Sequence, residues 1–213
     1  MNPDLFTATN LIVAITCVVS FLAFNNSVLR GQLLFHPLTI SRKKQWYRFI
    51  TSGFIHGDGM HLAINMFVFW SFGNAVEQGF YPNALGDNSL ILYLMLYFGG
   101  IVISSIPTYL KHKSNANYSA LGASGGVSAV VFSVIVFAPW QNLYLYGLIA
   151  IPQILAGAAY LYYSWHMDKK GGDNIGHMAH LSGAIWGFVF TCCMNFDLLP
   201  SFILKTLAGP SWL

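Results

Sequence analysis

The feature that most constrains this chain is a succession of long apolar runs separated by short polar segments. Hydrophobic residues make up 55% of its 213 residues and charged residues only 8%, whereas a soluble domain carries about 25% charged residues. So little polar surface cannot cover a folded chain of this size in water. The composition therefore predicts an all-α polytopic membrane protein.

Six of the runs approach the roughly 20 apolar residues that a membrane helix needs. The third is expected to stop at Pro107, and Pro152 in the fifth should kink that helix or mark its true start. A long first loop, about 25–57, precedes the second run, and the tail after Asp197 is expected to be too broken to span. The whole chain, 1–213, is thus predicted to be one six-helix membrane domain. The runs are approximately Leu11–Phe24, Met60–Val76, Leu90–Ile106, Leu121–Pro139, Tyr144–Tyr163 and Met178–Met194.

Several classes of function are disfavoured by composition. The formal net charge of +3 is too small to indicate nucleic-acid binding, and no basic cluster is interleaved with aromatic residues. Cys17, Cys192 and Cys193 lie in apolar runs without C-x-x-C spacing, which predicts neither a metal site nor a disulfide framework. The first run has no Lys or Arg before it, so it is expected to be a retained helix rather than a cleaved signal.

Polar residues gather at the starts of alternate runs. His61 and Asn65 begin the second run, Ser124 the fourth and His180 the sixth. With six spans, these three starts face the same side of the membrane. Polar and ionisable side chains inside a bilayer are costly, so they indicate a function. The sequence predicts that the four side chains lie at a similar depth near one face.

A serine hydroxyl becomes a useful nucleophile only when a base accepts its proton. Ser124 lies within the small-residue stretch 122–126, and His180 is the candidate base. Gly183 and Gly187 follow His180 on the same helix face, and a G-x-x-x-G face allows close helix approach. Packed against Gly125 and Gly126, that face would bring the imidazole toward the hydroxyl.

The second run offers groups that could stabilise an oxyanion. His61 and Asn65 are four residues apart and share a helix face, so they could donate together with the Ser124 backbone N–H. Interhelical hydrogen bonding is the alternative role for this pair. His56 is a further donor or a brace for the loop. Asp58 is expected to cap the second helix, so no acid completes a triad and a Ser-His dyad is favoured.

Four motifs occur in order along the chain: H-x4-H-x3-N at His56, His61 and Asn65, a small-x-x-V-E ending at 73–77, G-x-S-G with Gly122 and Gly125 flanking Ser124, and A-H-x-x-G-x-x-x-G with His180, Gly183 and Gly187. Together they resemble the motifs of the rhomboid intramembrane serine proteases. Each motif alone is weak, but the ordered set is specific and covers essentially the whole chain. Arg48 stands where that family has a loop arginine relative to His56.

The resemblance implies a six-transmembrane-helix rhomboid-like bundle. It implies a Ser124/His180 dyad, oxyanion contacts from His61 and Asn65, and no metal or cofactor. The implied substrates are single-span transmembrane proteins, cut within the lipid bilayer near its surface. The implied location is a bacterial cell (inner) membrane. The resemblance also implies that the catalytic face opens outward, whereas nine of the ten Lys and Arg residues lie on that face and the positive-inside rule would make it cytoplasmic.

One position departs from the family pattern in a way that concerns the histidine. Rhomboids often carry an aromatic residue four positions after the serine, where it stacks on the histidine, but this chain has Ser128. Tyr160 or Tyr163 of the fifth run is expected to pack on the imidazole instead. A smaller departure is that Tyr47, rather than a tryptophan, precedes the loop arginine.

Three other functions are weighed against the protease. A catalytically inactive rhomboid-like protein could bind transmembrane helices, and a transporter or channel could use the same polar residues as a permeation path. An intramembrane metalloprotease is disfavoured because no H-E-x-x-H motif occurs. In the protease hypothesis, the glycine-rich loop 169–174 is expected to act as a lid over Ser124.

Overall fold

The computed structural model describes residues 6–145, 149–170 and 176–210. Within them the fold is mostly helical, with one small antiparallel hairpin. Short 3₁₀ turns lie at Ser52–Phe54 and Gly86–Asn88, and a π-helical turn lies at Val76–Phe80. The helices are α1 (Ala8–Phe24), α2 (Ser27–Leu33), α3 (Pro37–Lys43), α4 (Arg48–Thr51), α5 (Gly59–Ala75), α6 (Tyr81–Leu85), α7 (Ser89–His112), α8 (Ser124–Phe137), α9 (Gln153–Lys170), α10 (His177–Met194) and α11 (Leu198–Ala208), and the strands are β1 (Asn142–Leu145) and β2 (Ile149–Pro152).

Helix α8 is the centre of the bundle. Eleven of its fourteen residues are buried, and α5, α7 and α10 pack around it while α9 and α11 cover the remaining side. The sequence explains this position, because α8 is apolar or small on every face and has no charged residue. A helix that is hydrophobic all round is stable only inside a bundle or a membrane.

Glycines on α7 and α8 let these two helices approach closely. A Cβ added at Gly100 would lie 2.7 Å from the Cβ of Ala129, and one added at Gly126 would lie 2.8 Å from the carbonyl oxygen of Tyr97. The nearest neighbours of Gly126 are therefore on α7. The prediction that Gly126 packs against the sixth apolar helix is wrong in this detail.

Proline does not end the third apolar run. Helix α7 continues through Pro107 to His112, so the prediction that it stops at this proline is wrong. A proline removes one backbone donor and leaves one carbonyl unpaired, which a 24-residue helix tolerates near its end. Hydroxyl groups of Ser104 and Ser105 donate to the carbonyl of Ile101 at 3.0 and 2.9 Å one turn earlier, a form of side-chain bonding common in membrane helices.

The fifth run divides at Pro152. Its first part pairs as the β1–β2 hairpin, with Asn142 opposite Pro152, and α9 begins at the next residue, Gln153. The prediction of a helix from Tyr144 onward is therefore wrong, and the alternative that Pro152 marks the true start is confirmed. The residue before a proline is biased toward extended backbone, which favours a strand here.

The first loop is folded rather than irregular, and Arg48 holds it together. This buried side chain donates to the carbonyl oxygens of Gly31 and Leu34, both at 2.8 Å, and to Gln45 Oε1 at 2.7 Å. Each of these acceptors belongs to the first loop itself. Arg48 thus fixes the shape of the first loop.

Glu77, in the π-helical turn that follows α5, connects the C-terminal end of α5 to the start of α1. The Glu77 carboxylate accepts the backbone N–H groups of Ala8 and Thr9 at 2.7 and 2.8 Å, and the Thr9 hydroxyl at 2.7 Å. These donors lie at the start of α1, where backbone N–H groups have no partner within the helix. The V-E ending recognised in the sequence therefore places an anion on a helix N-terminus.

The tail forms a helix that the sequence did not predict. Helix α11 has eleven residues, which is too few to span a bilayer alone. Lys205 donates to the carbonyl of Phe137 at 2.9 Å, and the Trp140 indole donates to the carbonyl of Lys205 at 3.0 Å. These bonds attach α11 to the end of α8.

Among the described residues, one continuous helical stretch is long and apolar enough to cross a membrane, Gly59–His112. The pair α10 and α11, bent by 115°, would be a second if it forms one span. Helices α1 and α8 are shorter apolar helices. Large apolar side chains such as Phe67 and Leu22 are more than half exposed on the outer faces of the bundle, which suits lipid better than water.

Candidate active site

Ser124 is the first residue of α8 and is partly buried. The bond from the Val127 N–H to the Ala123 carbonyl, at 3.0 Å, closes the first turn. The backbone N–H of Ser124 therefore precedes the hydrogen-bond ladder of the helix, where it carries partial positive charge. A negatively charged oxygen beside the Ser124 hydroxyl would be stabilised by this helix end.

Gly122 shapes the chain just before the serine. Its φ of +114° is a conformation that residues with a side chain rarely adopt. A Cβ at this position would also lie 2.9 Å from Cε1 and 3.1 Å from Nε2 of His61. The Gly122 N–H donates to the carbonyl of Ser52 at 2.9 Å, which attaches this turn to the first loop. Only glycine satisfies both the backbone conformation and the approach of the imidazole.

Helices α8 and α10 are in direct backbone contact. A Cβ at Gly183 would overlap the Gly125 carbonyl oxygen and lie 2.9 Å from the Gly125 Cα. One turn further, a Cβ at Gly187 would lie 2.6 Å from the Cα of Ala129. The close approach expected from the G-x-x-x-G spacing is present. This contact joins Gly125, the residue after Ser124, to Gly183, which lies one turn after His180.

The His180 ring is bracketed by two side chains. Tyr160 of α9 stacks on it with ring centroids 5.7 Å apart and an interplanar angle of 20°, and His177 meets it edge-on at 5.9 Å and 81°. The expectation that Tyr160 or Tyr163 packs on the imidazole is confirmed for Tyr160. Tyr163 instead contacts His177, at 5.6 Å and 80°.

His61 and Asn65 lie on the face of α5 that meets the turn before α8. The Gly57 N–H donates to Nδ1 of His61 at 3.4 Å, so in the neutral ring the proton is on Nε2, the nitrogen nearer Gly122. Asn65 is buried, and its amide donates one hydrogen to the His61 carbonyl at 3.0 Å. An amide nitrogen carries two hydrogens, so a second N–H remains. Both side chains can donate to an oxyanion.

His56 is a brace for the turn before Ser124. Its Nε2 accepts the Ala123 N–H at 3.4 Å, and its Nδ1 lies 3.0 Å from the Ser20 hydroxyl, which itself donates to the Phe54 carbonyl at 3.0 Å. This arrangement requires a neutral imidazole with its proton on Nδ1. Burial, aided by the nearby His61, lowers the pKa of His56 to about 4. Of the two roles considered for His56, the structure shows the brace.

The described structure thus gathers the turn 122–126, His61, Asn65 and the α8–α10 contact at one end of the bundle. Asp58 accepts the His61 N–H at 2.8 Å and caps α5, as expected. Two contacts had no signal in the sequence: Ser20 of α1 against His56, and the Ser128 hydroxyl 2.7 Å from the Tyr160 hydroxyl. Most of the predicted lid, 171–174, lies outside the described residues.

Comparison with known proteins agrees with this architecture. The family model described as Rhomboid domain matches residues 43–195, which is most of the chain and includes His61, Asn65, Ser124 and His180. The chain belongs to the rhomboid family. Rhomboids are integral membrane proteins, and the family includes serine intramembrane proteases.

Three relatives illustrate the range of this rhomboid's similarity. RHOMBOID-like protein 12, mitochondrial, of Arabidopsis thaliana is 34% identical over 63% of this chain and 42% of its own length. Rhomboid-like protein 11, chloroplastic, of the same plant is 27% identical over 70% of this chain and 53% of its own length. Rhomboid protease GlpG of Haemophilus influenzae is 27% identical over 84% of this chain and 88% of its own length. The chain thus spans about half the length of the two plant relatives.

Proposed function

We propose that this rhomboid is an intramembrane serine endopeptidase that cleaves transmembrane-helix substrates near the membrane surface. The observation that carries the proposal is the backbone contact between Gly125 and Gly183. It joins the helix that begins with Ser124 to the helix that carries His180. The similarity to a relative named as a rhomboid protease supports the same function.

The proposed reaction begins when Ser124 Oγ attacks the scissile carbonyl carbon and His180 takes the hydroxyl proton. The resulting oxyanion accepts hydrogen bonds from the Ser124 backbone N–H, His61 Nε2–H and the Asn65 amide. Collapse breaks the carbon–nitrogen bond, and His180 returns its proton to the leaving amine. Water then attacks the acyl-enzyme with His180 as base, which releases the second product and restores the serine. Each oxyanion donor is worth about 10²–10³ in turnover in known serine proteases.

The proposed bundle has six membrane helices, namely α1, α5, α7, α8, α9 and α10. Their apolar outer faces and the integral membrane character of the family support this count. The positive-inside rule, applied to the basic first loop, places the catalytic face in the cytoplasm. The family resemblance places that face on the outside of the membrane. The topology and the orientation are decided with single cysteines placed at Ser114 and at Gly86 after the three native cysteines are replaced by serine. The measurement is their accessibility to a membrane-impermeant maleimide.

We also propose a bacterial cell (inner) membrane as its location. The Haemophilus influenzae relative, which aligns over 88% of its length, supports this location. The mitochondrial and chloroplastic relatives make an organellar membrane the competing location. Immunodetection in membrane fractions of the source cells distinguishes the two.

The decisive experiment uses a fluorescent fluorophosphonate and a tagged single-span reporter with the purified protein in liposomes. Ser124→Ala and His180→Ala should each abolish both labelling and cleavage. Ser119→Ala and His166→Ala are matched controls, because both residues are exposed and outside the site. Cleavage that survives both site substitutions would refute the protease. Binding of the reporter without cleavage by the unmodified protein would favour the inactive helix-binding alternative.

A further inference from the structure

We propose that Tyr160 and Ser128 form a positioning pair that holds the His180 imidazole in line with Ser124. The inference rests on the proposed function and assigns roles to two residues outside the motifs of the resemblance. Tyr160 acts through His180 rather than on the substrate. It therefore sets how often the base is aligned and leaves substrate binding unchanged.

The first observation is the stack itself. A tyrosine face 5.7 Å from the imidazole centroid and inclined by only 20° restricts rotation of the His180 ring about its side-chain bonds. The edge-on contact from His177 at 5.9 Å restricts rotation of the His180 ring in a second direction. A histidine between a face and an edge has few alternative orientations. The stack is supplied by α9, a helix that carries neither the proposed nucleophile nor the proposed base.

The second observation is that Tyr160 is itself fixed to the helix that begins with Ser124. Its hydroxyl lies 2.7 Å from the hydroxyl of buried Ser128, and its ring lies 6.3 Å from that of Phe132. Residues 124, 128 and 132 are spaced by four, so they share one face of α8. Tyr160 thus connects the helix of the nucleophile to the imidazole of the base.

The third observation is that most residues of α9 lie on the outside of the bundle. Only Gln153, Gly157 and Ser164 of its eighteen residues are buried. An apolar cavity of about 290 Å³, lined in part by Gly157 and Leu161, lies where α9 meets α8 and α10. Beside it, Gly157 packs closely on Ile135 of α8. The Ser128–Tyr160 hydroxyl pair therefore adds a polar contact to the apolar packing of Tyr160 on Phe132, and together they hold the tyrosine ring over His180.

The test measures kcat and KM for the single-span reporter with the full chain in liposomes. Tyr160→Leu should lower kcat by about 10- to 100-fold with KM unchanged, because it removes the stack and lets the base move from its aligned position. Tyr160→Phe keeps the ring, so it should lose only about 2- to 10-fold. Tyr162→Leu is the matched control, because Tyr162 is exposed two residues away and stacks on His166. It should behave as the unmodified protein.

A double-mutant cycle tests the pair without removing the ring. Ser128→Ala should match Tyr160→Phe, and Ser128→Ala with Tyr160→Phe should be no slower than the slower single variant, because both changes remove one hydrogen bond. A wild-type kcat in Tyr160→Leu would overturn the proposal. So would a double variant that loses the product of the two single losses. If Tyr160→Leu does not fold, the cycle alone decides.

Failure of this inference differs from failure of the proposed function. If fluorophosphonate labels the unmodified protein and not Ser124→Ala, the protease stands, and a wild-type kcat in Tyr160→Leu refutes only the positioning pair. If the unmodified protein neither reacts with the probe nor cleaves the reporter, the proposed function fails and this inference fails with it.

Discussion

Gly183→Ala is the substitution whose effect the structure determines most directly. The new Cβ would lie 2.9 Å from the Gly125 Cα and would overlap the Gly125 carbonyl oxygen. Two carbon atoms in normal contact are about 3.5–4.0 Å apart. Helix α10 must therefore move away from α8 by at least about 0.6 Å, and by more to clear the oxygen. The obstacle is backbone, so no side-chain rotation can relieve it.

Two magnitudes follow from that displacement. Overpacking at a rigid contact costs about 1–3 kcal/mol of unfolding free energy. His180 lies one turn before Gly183 on the same helix, so it moves with α10 relative to Ser124. Misplacement of a catalytic group by about 1 Å can cost about 10²-fold in rate. We expect kcat to fall by about 10- to 100-fold, out of proportion to the loss of stability.

The assay combines thermal unfolding in detergent with fluorophosphonate labelling and reporter cleavage in liposomes. Gly79→Ala is the matched control, because it is also a helical glycine but a Cβ there would meet nothing within 4 Å. It should leave both readouts unchanged. A folded Gly183→Ala protein with unchanged unfolding temperature and unchanged kcat would refute the claim that this contact sets the geometry of the site.

Three further predictions concern residues around the bundle. Asn65→Ala should lower kcat by about 10²–10³-fold with little change in KM if its amide donates to the oxyanion, and equal losses in binding and turnover would contradict this. The pKa of His56 is lowered to about 4 from 6.5, so as pH falls through this window the unfolded chain gains a proton that the folded chain does not, and stability decreases. The fall in unfolding temperature from pH 7 to pH 5 should therefore be smaller in His56→Gln than in the unmodified protein, and an identical fall would contradict the burial of a neutral ring. Glu77→Gln should lower the unfolding free energy by about 1.5–3 kcal/mol, because a charged acceptor at the start of α1 is lost, while fluorophosphonate labelling at the other end of α5 stays unchanged.

Much of the candidate site was predictable because its residues lie within single helices. The four-residue spacing of His61 and Asn65 fixes a shared face wherever the helix packs. The spacing of Gly183 and Gly187 likewise indicates a face for close approach, and the structure has that approach. The apolar runs gave the main helices for the same reason, since the period of hydrophobicity is a local property.

The predictions that were wrong rested on residues whose local sequence was compatible with two different structures. Pro107 breaks a hydrogen bond in any helix, but whether the helix ends there depends on the contacts of the turns on both sides. Gly126 could have faced either neighbour of α8, and tertiary packing turned it toward α7. Pro152 allowed a kink or a start, and pairing of β1 with β2 selected the start.

By itself, the sequence determined the family, the principal helices and the polar residues that meet at one end of them, because motif spacing and hydrophobic period are encoded within short segments. Only the tertiary structure decided which distant side chains complete the site. Ser128 and Tyr160 are 32 positions apart, and Ser20 and His56 are 36 apart. The sequence restricted the stacking residue to Tyr160 or Tyr163, but which of them reaches His180 depends on how α9 is rotated and docked. That rotation is the outcome of packing among all the helices at once, so no single segment encodes it.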